Sequence, residues 1–467
     1  MSFASVDYLL FLPCVLLVYF GCPPRARPAV LLAASLLFYA ATRIEFLLVM
    51  LASAAISYTG GVLIARAGPR WRGPALMAAV TATLMLLCYY KYLAFLVDNG
   101  NWLFRSVGAG QPFALIDVLL PIGISFHTFQ GIAYCVDIYR GHIAPCGWLD
   151  YLLYISFFPQ SVAGPIERPA ALVPQLAQWH AFDYARAISG CELILWGLFK
   201  KVFVADRLGL YVDQVFSSVD RYSGVQLILA MYFFAFQIYA DFSGYTDIAR
   251  GSARILGIDL VENFDAPYLA TSIRDFWRRW HMSLSRWFRD YVYIPLGGHD
   301  VAASQWVSII LVTFTLSGLW HGANWTFVLW GLFSGACLVV ERILPWTPHG
   351  PAGRFLAWLM TFHLICIGWV LFRASSISEA VTFFHNMADL APRSVIIDGG
   401  LLFSQLILAL AGLSLVIAAD IFRRSRYRLL PAFWPAPLRW ASYYVLAYSI
   451  LLLPGNASAK AFIYFQF

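Results

Sequence analysis

Residues 304–343 read SQWVSIILVTFTLSGLWHGANWTFVLWGLFSGACLVVERI, two apolar runs separated only by a short polar break around His321. A helix needs about 20 mostly apolar residues to cross roughly 30 Å of hydrocarbon. The two runs, 304–320 and 323–343, come close to that length. The stretch therefore predicts two membrane-spanning helices joined by a very short connection.

The rest of the chain has the same character. Of its 467 residues, 61% are hydrophobic and only 12% are charged, whereas soluble domains carry about 25% charged residues. We expect an all-α, polytopic transmembrane protein with about 11–12 spans, formed as a single domain over 1–467. The other predicted spans are 6–22, 28–42, 45–65, 75–97, 113–135, 187–205, 224–246, 354–373, 401–420 and 438–454.

Two shorter apolar stretches, 150–162 and 286–296, are broken by proline or glycine. They are typical of re-entrant or interfacial segments, which a membrane tolerates where they are buried in protein or line a wet cavity. The net charge of +7 comes largely from loop arginines and lysines, which fit a cytoplasmic position if the N-terminus faces outward. No basic soluble module indicates a nucleic-acid partner.

The motifs of several enzyme classes are missing from the sequence. The sequence has no GxSxG elbow, HExxH pair, Walker loop or GxGxxG in a strand–helix setting, so soluble hydrolases, zinc proteases and nucleotide-binding proteins find no support. The eight cysteines lie mostly in or beside apolar runs and form no CxxC pair. We interpret them as packing residues, with neither disulfides nor a metal site expected.

The segment YADFSGYTDIARG, residues 239–251, places ionisable groups at the end of an apolar run. One interpretation is a helix end entering water with ordinary capping groups. The other is a polar wall of a substrate cavity, because charges at membrane depth are costly and mark functional sites. In the second interpretation Asp241 binds substrate.

Arginines and aromatic residues alternate in NFDAPYLATSIRDFWRRWHMSLSRWFRDYVYIPLGG, residues 263–298. This pattern is typical of an amphipathic helix at the headgroup level. It would also suit a guanidinium-rich mouth for a phosphate-bearing ligand, with Arg278 and Arg279 as contacts. His281 lies in the middle, where a structural interfacial role competes with a functional one.

His321 in LSGLWHGANW, residues 316–325, is the sharpest candidate. A connection this short leaves no roomy aqueous loop, so the imidazole is expected inside the protein. A buried neutral histidine can accept a proton from a hydroxyl group, and the glycines at 318 and 322 allow backbone or substrate to approach closely. The alternative is a structural histidine in a helical hairpin, whose ring donates a hydrogen bond to a backbone carbonyl.

Taken together, these motifs resemble the membrane-bound O-acyltransferase family, in its bacterial branch that O-acetylates alginate-type exopolysaccharides. The resemblance runs over nearly the whole chain, with several long motifs in the right order. Besides the segments 239–251, 263–298 and 316–325, it rests on FASVDYLLFLP (3–13), PIGISFHTFQGIAY (121–134), FFPQSVAGPIERP (157–169) and the terminal FIYFQF (462–467).

The resemblance implies a ring of transmembrane helices around a thinned centre, in the bacterial inner membrane. It implies that His321 is the catalytic histidine and His281 the second functional one. The acyl donor would be acetyl-CoA or a carrier thioester on the cytoplasmic side, with no tightly bound cofactor. The acetyl group would pass to periplasmic acetyltransferase partners of an exopolysaccharide machinery acting on alginate or cellulose.

Further roles are hypotheses that fit this resemblance. His321 would be the general base, and Asn324 or backbone N–H groups would stabilise the oxyanion. His281 and the arginines would orient the donor and its phosphates. Two alternatives stay open: transfer of another acyl group, such as D-alanine to teichoic acid, and a transporter or flippase whose buried polar groups bind without reacting.

Overall fold

The computed structural model describes residues 1–114, 118–161, 164–345, 348–389, 403–424, 434–452 and 462. Within these ranges every regular element is a helix, so the all-α prediction is confirmed. Of the terminal FIYFQF, only Phe462 lies within the described residues. The chain divides into two compact units, and the single-domain and ring predictions stay predictions.

Unit 1 comprises Ser5–Gly190 and Ser252–Val261, together with Met1. Its helices are α1 (Val6–Gly21), α2 (Arg27–Ala40), α3 (Ile44–Arg66), α4 (Pro69–Leu87), α5 (Leu93–Ser106), α6 (Ile124–Tyr139), α7 (Trp148–Ser156) and α8 (Pro169–Ala177), with the first half of α9 (Tyr184–Leu198), which continues into unit 2. A π-helical turn, Cys88–Tyr92, joins α4 to α5. Helix α6 is buried along most of its length against α3, α4 and α7.

Unit 2 comprises Ser2–Ala4, Cys191–Gly251 and Glu262–Phe467. Its helices are α10 (Asp206–Phe216), most of α11 (Val225–Ile255), α12 (Ile273–Arg279), α13 (Met282–Phe288), α14 (Ala303–His321), α15 (Trp325–Ile343), α16 (Gly350–Arg373), α17 (Ile377–Met387), α18 (Phe403–Arg424) and α19 (Ala436–Leu452). π-helical turns occupy Phe199–Ala205 and Arg289–Tyr293. Single 3-10 turns lie at Val219–Arg221 and Pro267–Leu269 in unit 2, and at Pro24–Ala26 in unit 1.

Among the described residues, seven helices are long and apolar enough to cross a membrane. They are Ile44–Arg66, Pro69–Ser106, Val225–Ile255, Ala303–His321, Trp325–Ile343, Gly350–Arg373 and Gln405–Phe422. The apolar helix α1 is shorter, at 16 residues. The predicted short segment 150–162 overlaps the short helix α7, and 286–296 covers the end of α13 and the π-helical turn Arg289–Tyr293.

One predicted span begins later than expected. The run 113–135 predicts a single helix, but α6 starts only at Ile124. Gly123 has a φ of +78°, a left-handed conformation that glycine adopts readily. Pro121 lies two residues before it, and a proline fixes its own φ and restricts the residue before it. The helix therefore starts after both residues.

Candidate active site

His321 is the last residue of α14 and lies inside unit 2. It is 6% exposed. Three aromatic rings pack edge-on around the imidazole, with centroid distances of 4.8 Å to Trp320, 5.1 Å to Trp330 and 5.2 Å to Phe372. The imidazole is thus enclosed largely by aromatic side chains of unit 2.

Close packing of α14 on α15 holds this histidine in place. A Cβ atom on Gly318 would lie 2.1 Å from the carbonyl oxygen of Phe327, and one on Gly331 would lie 2.3 Å from that of Phe314. Only glycine fits where two backbones approach so closely. The predicted close approach at Gly318 is therefore made by the neighbouring helix.

Asn324 shapes the connection between the two helices. Its side-chain oxygen accepts a hydrogen bond from the backbone N–H of Thr326 at 3.1 Å, which caps α15. Its Nδ2 donates to the carbonyl of Ser375 at 2.8 Å. The structure thus gives Asn324 a structural role just after His321, and its predicted role toward substrate stays a prediction.

His281 is a second buried imidazole, 1% exposed. It precedes α13 with a φ of +42°, which is uncommon for a residue other than glycine. Asn263 holds this turn, because its carbonyl accepts the N–H of Met282 at 3.0 Å and its side chain accepts that of Ser283 at 3.2 Å. A strained, buried histidine held in this way is typical of a functional position.

Neither ring nitrogen of His281 has a hydrogen-bonding partner among the described residues. The ring of Phe242 packs edge-on against the imidazole at a centroid distance of 4.7 Å. Burial lowers the pKa of His281 to about 3, so the ring is neutral near pH 7. Both nitrogens are therefore uncommitted to other described groups.

The two predicted histidines both contact the indole ring of Trp320. The ring of Trp320 lies 6.0 Å from that of His281 and 4.8 Å from that of His321. They are 40 residues apart in the sequence, yet α13 and α14 bring them to the same side chain. Sequence analysis singled out both histidines but not Trp320, which lies among many other tryptophans.

The arginine-rich segment forms the short amphipathic helices that its pattern predicts. In α12, Ile273 and Phe276 are buried while Arg274 and Arg278 are exposed. The N-terminus of α12 is held by the Glu341 carboxylate, which accepts the N–H of Ile273 at 2.6 Å. The exposed guanidinium groups are therefore carried on a fixed helix.

Arg278 and Arg279 differ in their surroundings. Arg279 pairs with Asp275 at 2.8 Å and with Asp265 at 3.4 Å. Arg278 is exposed, and the described residues provide it with no ion pair. An anionic ligand would therefore meet Arg278 without first breaking a salt bridge, and would have to compete with two carboxylates for Arg279.

Asp241 lies in a buried charge cluster that sequence analysis did not anticipate. Its carboxylate is 2.7 Å from the Lys201 ammonium, which also lies 2.9 Å from Asp206. Lys200, the adjacent residue, pairs with Asp247 at 2.6 Å. The missed signal was the pair of lysines inside the apolar run 187–205, because buried charges of one sign require partners of the other.

Comparison with known proteins points to one family. Residues 135–377 match the model of the membrane-bound O-acyltransferase family, and this range contains both histidines, Asp241, Asn324 and the arginine-rich helices. The chain is 41% identical to a probable alginate O-acetylase of Azotobacter vinelandii over 392 residues, 83% of this chain and 78% of that protein.

Two further relatives extend the similarity. The chain is 36% identical to a probable alginate O-acetylase of Pseudomonas putida over 492 aligned positions, covering 100% of both chains. It is 34% identical to a peptidoglycan O-acetyltransferase of Helicobacter pylori over 416 residues, 81% of this chain and 78% of that protein. The similarity thus includes proteins named for O-acetylation of two different polymers.

Proposed function

The chain belongs to the membrane-bound O-acyltransferase family, and we propose that it moves an acetyl group from a cytoplasmic thioester toward the hydroxyl groups of an exopolysaccharide. It is an acyltransferase and a multi-pass protein of the bacterial inner membrane. The acetylated polymer is of the alginate or cellulose type, and periplasmic acetyltransferase partners complete the transfer. The names of its relatives support acetyl as the acyl group.

In the proposed reaction His321 is the general base. A ring nitrogen takes the proton of the acceptor hydroxyl as the oxygen attacks the thioester carbonyl carbon. The carbon–sulfur bond then breaks, the ester forms, and the leaving thiolate takes the proton from the imidazolium. General-base catalysis of this kind contributes about 10²- to 10⁴-fold in rate.

Two other groups have proposed roles around this step. Asn324 donates one Nδ2 hydrogen to the backbone carbonyl of Ser375. Its second Nδ2 hydrogen, or a backbone N–H, would stabilise the oxyanion. His281, across Trp320 from the base, would orient the donor with one of its ring nitrogens. Arg278 would bind a phosphate of acetyl-CoA or of a carrier's phosphopantetheine arm.

The observation that carries the proposal is the position of His321, buried at the end of α14 and sharing an indole with His281. The test compares purified His321→Gln with wild type, using release of free thiol from acetyl-CoA and acetyl content of the polymer in producing cells. His363→Gln is the matched control, since its ring bonds Tyr232 elsewhere in unit 2.

We expect His321→Gln to keep the wild-type melting temperature and to lose at least about 10²-fold in turnover, with His363→Gln retaining activity. Wild-type turnover by a folded His321→Gln protein would remove this imidazole from the mechanism. Turnover of a D-alanyl thioester, with none of the acetyl thioester, would mean that the transferred acyl group is D-alanyl. Binding of acetyl-CoA without turnover in wild type would favour a carrier thioester as the donor.

A further inference from the structure

A narrow cleft in unit 2 lies between α12, α15 and α16. It contains about 270 Å³ of empty space, including its open mouth. Its walls are mainly aromatic, with one thiol, and include Phe276, Trp277, Trp330, Trp369 and Cys337. One of these walls, the Trp330 ring, also contacts the His321 imidazole, so the cleft is a neighbour of the proposed base.

Trp330 stands between this cleft and the proposed base. Its ring packs edge-on against the His321 imidazole, at a centroid distance of 5.1 Å and an interplanar angle of 88°. The same side chain lines the cleft and stacks on Trp369 at 5.8 Å and 20°. At 3% exposure the indole is fixed on several sides, so it forms a rigid wall.

The position of this wall bears on which acyl group can react. In a near-attack geometry the thioester carbonyl lies within about 3–3.5 Å of the attacking oxygen, and that oxygen lies beside the imidazole. The remainder of the acyl group then lies close to the side chains that pack on His321. Of the three rings around the imidazole, only that of Trp330 also lines the cleft.

We propose that Trp330 determines acyl-chain length, by closing the cleft to the thioester so that an acetyl group fits and a longer chain does not. This proposal rests on the proposed function. A butyryl or hexanoyl tail directed toward the cleft would need the space that the indole fills, whereas an acetyl group would not extend that far. Because the side chain is stacked, displacing it would cost packing that the extra methylenes do not restore.

The test measures turnover of acetyl-, butyryl- and hexanoyl-CoA by wild type, Trp330→Ala and Trp330→Val. Removing the indole takes away the side chain that separates the cleft from the His321 imidazole. We expect the butyryl-to-acetyl ratio of kcat/KM to rise at least about tenfold, since single methylenes in apolar pockets discriminate by 10- to 200-fold. Trp330→Phe keeps an aromatic ring, so its butyryl-to-acetyl ratio should rise less. This variant provides the test if Trp330→Ala and Trp330→Val do not fold.

Trp277→Ala is the matched control. Trp277 lines the same cleft, and its ring lies 5.7 Å from that of Trp330, so this change enlarges the cleft while leaving the wall in place. Its butyryl-to-acetyl ratio should stay at the wild-type value. An equal rise in Trp277→Ala, or an unchanged ratio in folded Trp330 variants, would overturn the proposal.

A second readout does not depend on turnover. Cys337 lines the cleft, and its alkylation can be followed by peptide mass spectrometry. Hexanoyl-CoA should slow alkylation of Cys337 in Trp330→Ala and leave the wild-type rate unchanged. Absence of acetyl turnover in wild type would count against the proposed function, whereas absence of this protection would count against the role of Trp330.

Discussion

The ammonium group of Lys201 lies 2.7 Å from the Asp241 carboxylate, with the two side chains 2% and 3% exposed. Asp206 accepts a second contact from the same lysine at 2.9 Å. The residue after Asp241 is Phe242, whose ring contacts the His281 imidazole. The buried pair therefore fixes the part of α11 that packs against one of the two site histidines.

Removal of the Asp241 carboxylate should destabilise the protein strongly. Breaking a buried pair costs about 3–5 kcal/mol when one charge is left uncompensated. Asp206 still pairs with Lys201 in Asp241→Ala, so we expect the free energy of unfolding to fall by up to that amount, measured by detergent-induced unfolding. The control is Asp300→Ala, because the Asp300 side chain is 85% exposed. Unchanged stability with a raised KM for the donor would instead support a substrate-binding role for Asp241.

A methyl group at Gly331 should disturb the α14–α15 hairpin. The added Cβ would lie 2.3 Å from a backbone carbonyl of α14, which cannot move aside as a flexible side chain can. Overpacking of this kind costs about 1–3 kcal/mol or more. Gly331→Ala should lower the melting temperature and shift His321, whereas Gly21→Ala, with open space around it, should not. An unaltered melting temperature for Gly331→Ala would mean that the helices pack less closely.

The hairpin was predictable because its signal is local. The predicted spans 304–320 and 323–343 differ by only a few residues from the observed helices Ala303–His321 and Trp325–Ile343. Long apolar runs and a short polar break are properties of adjacent residues. The same holds for His321, which stands out because it is polar in an apolar context.

The charge cluster was not predictable in this way. Its partners come from separate helices, with Lys201 and Asp241 lying 40 residues apart in the chain. The lysines sit in a π-helical turn, Phe199–Ala205, and such a bulge depends on tertiary contacts that no sequence period reveals. The sequence thus identified Asp241 as unusual but could not tell its lysine partner from a substrate.

The stability of the protein should fall on acidification because of His281. Burial lowers its pKa to about 3, against about 6.5 in an unfolded chain. Between these values the unfolded state binds more protons, so stability is full above pH 6.5 and declines toward pH 3. At pH 5 the loss from this group is about 2 kcal/mol. The melting temperature of His281→Gln should change less between pH 7.5 and pH 5 than that of wild type does.

The exposed histidine at 299 provides the comparison for that experiment. Its side chain is 78% exposed, so His299→Gln should keep the wild-type dependence on pH. Parallel curves for wild type and His281→Gln would contradict the prediction, because they would mean that the imidazole of His281 titrates alike in the folded and unfolded states.

The adjacent arginines should respond to substitution in different ways. Arg278 is exposed without an ion pair in the described residues, so Arg278→Ala should weaken donor binding and leave stability near wild type. Loss of one charge-assisted hydrogen bond costs about 1.5–3 kcal/mol, which corresponds to a rise of at least about tenfold in KM for acetyl-CoA. Steady-state kinetics and thermal unfolding of the same preparation measure both quantities.

Arg279→Ala is the matched variant in the same helix. Because Arg279 is held by Asp275 and Asp265, its removal should lower the melting temperature through two unpaired carboxylates and change KM less than Arg278→Ala does. High salt should raise the wild-type KM, since screening weakens an exposed contact between arginine and phosphate, and should have little effect on that of Arg278→Ala. A larger KM effect from Arg279 would mean that the donor displaces the two carboxylates, and Arg279 would then be the phosphate ligand.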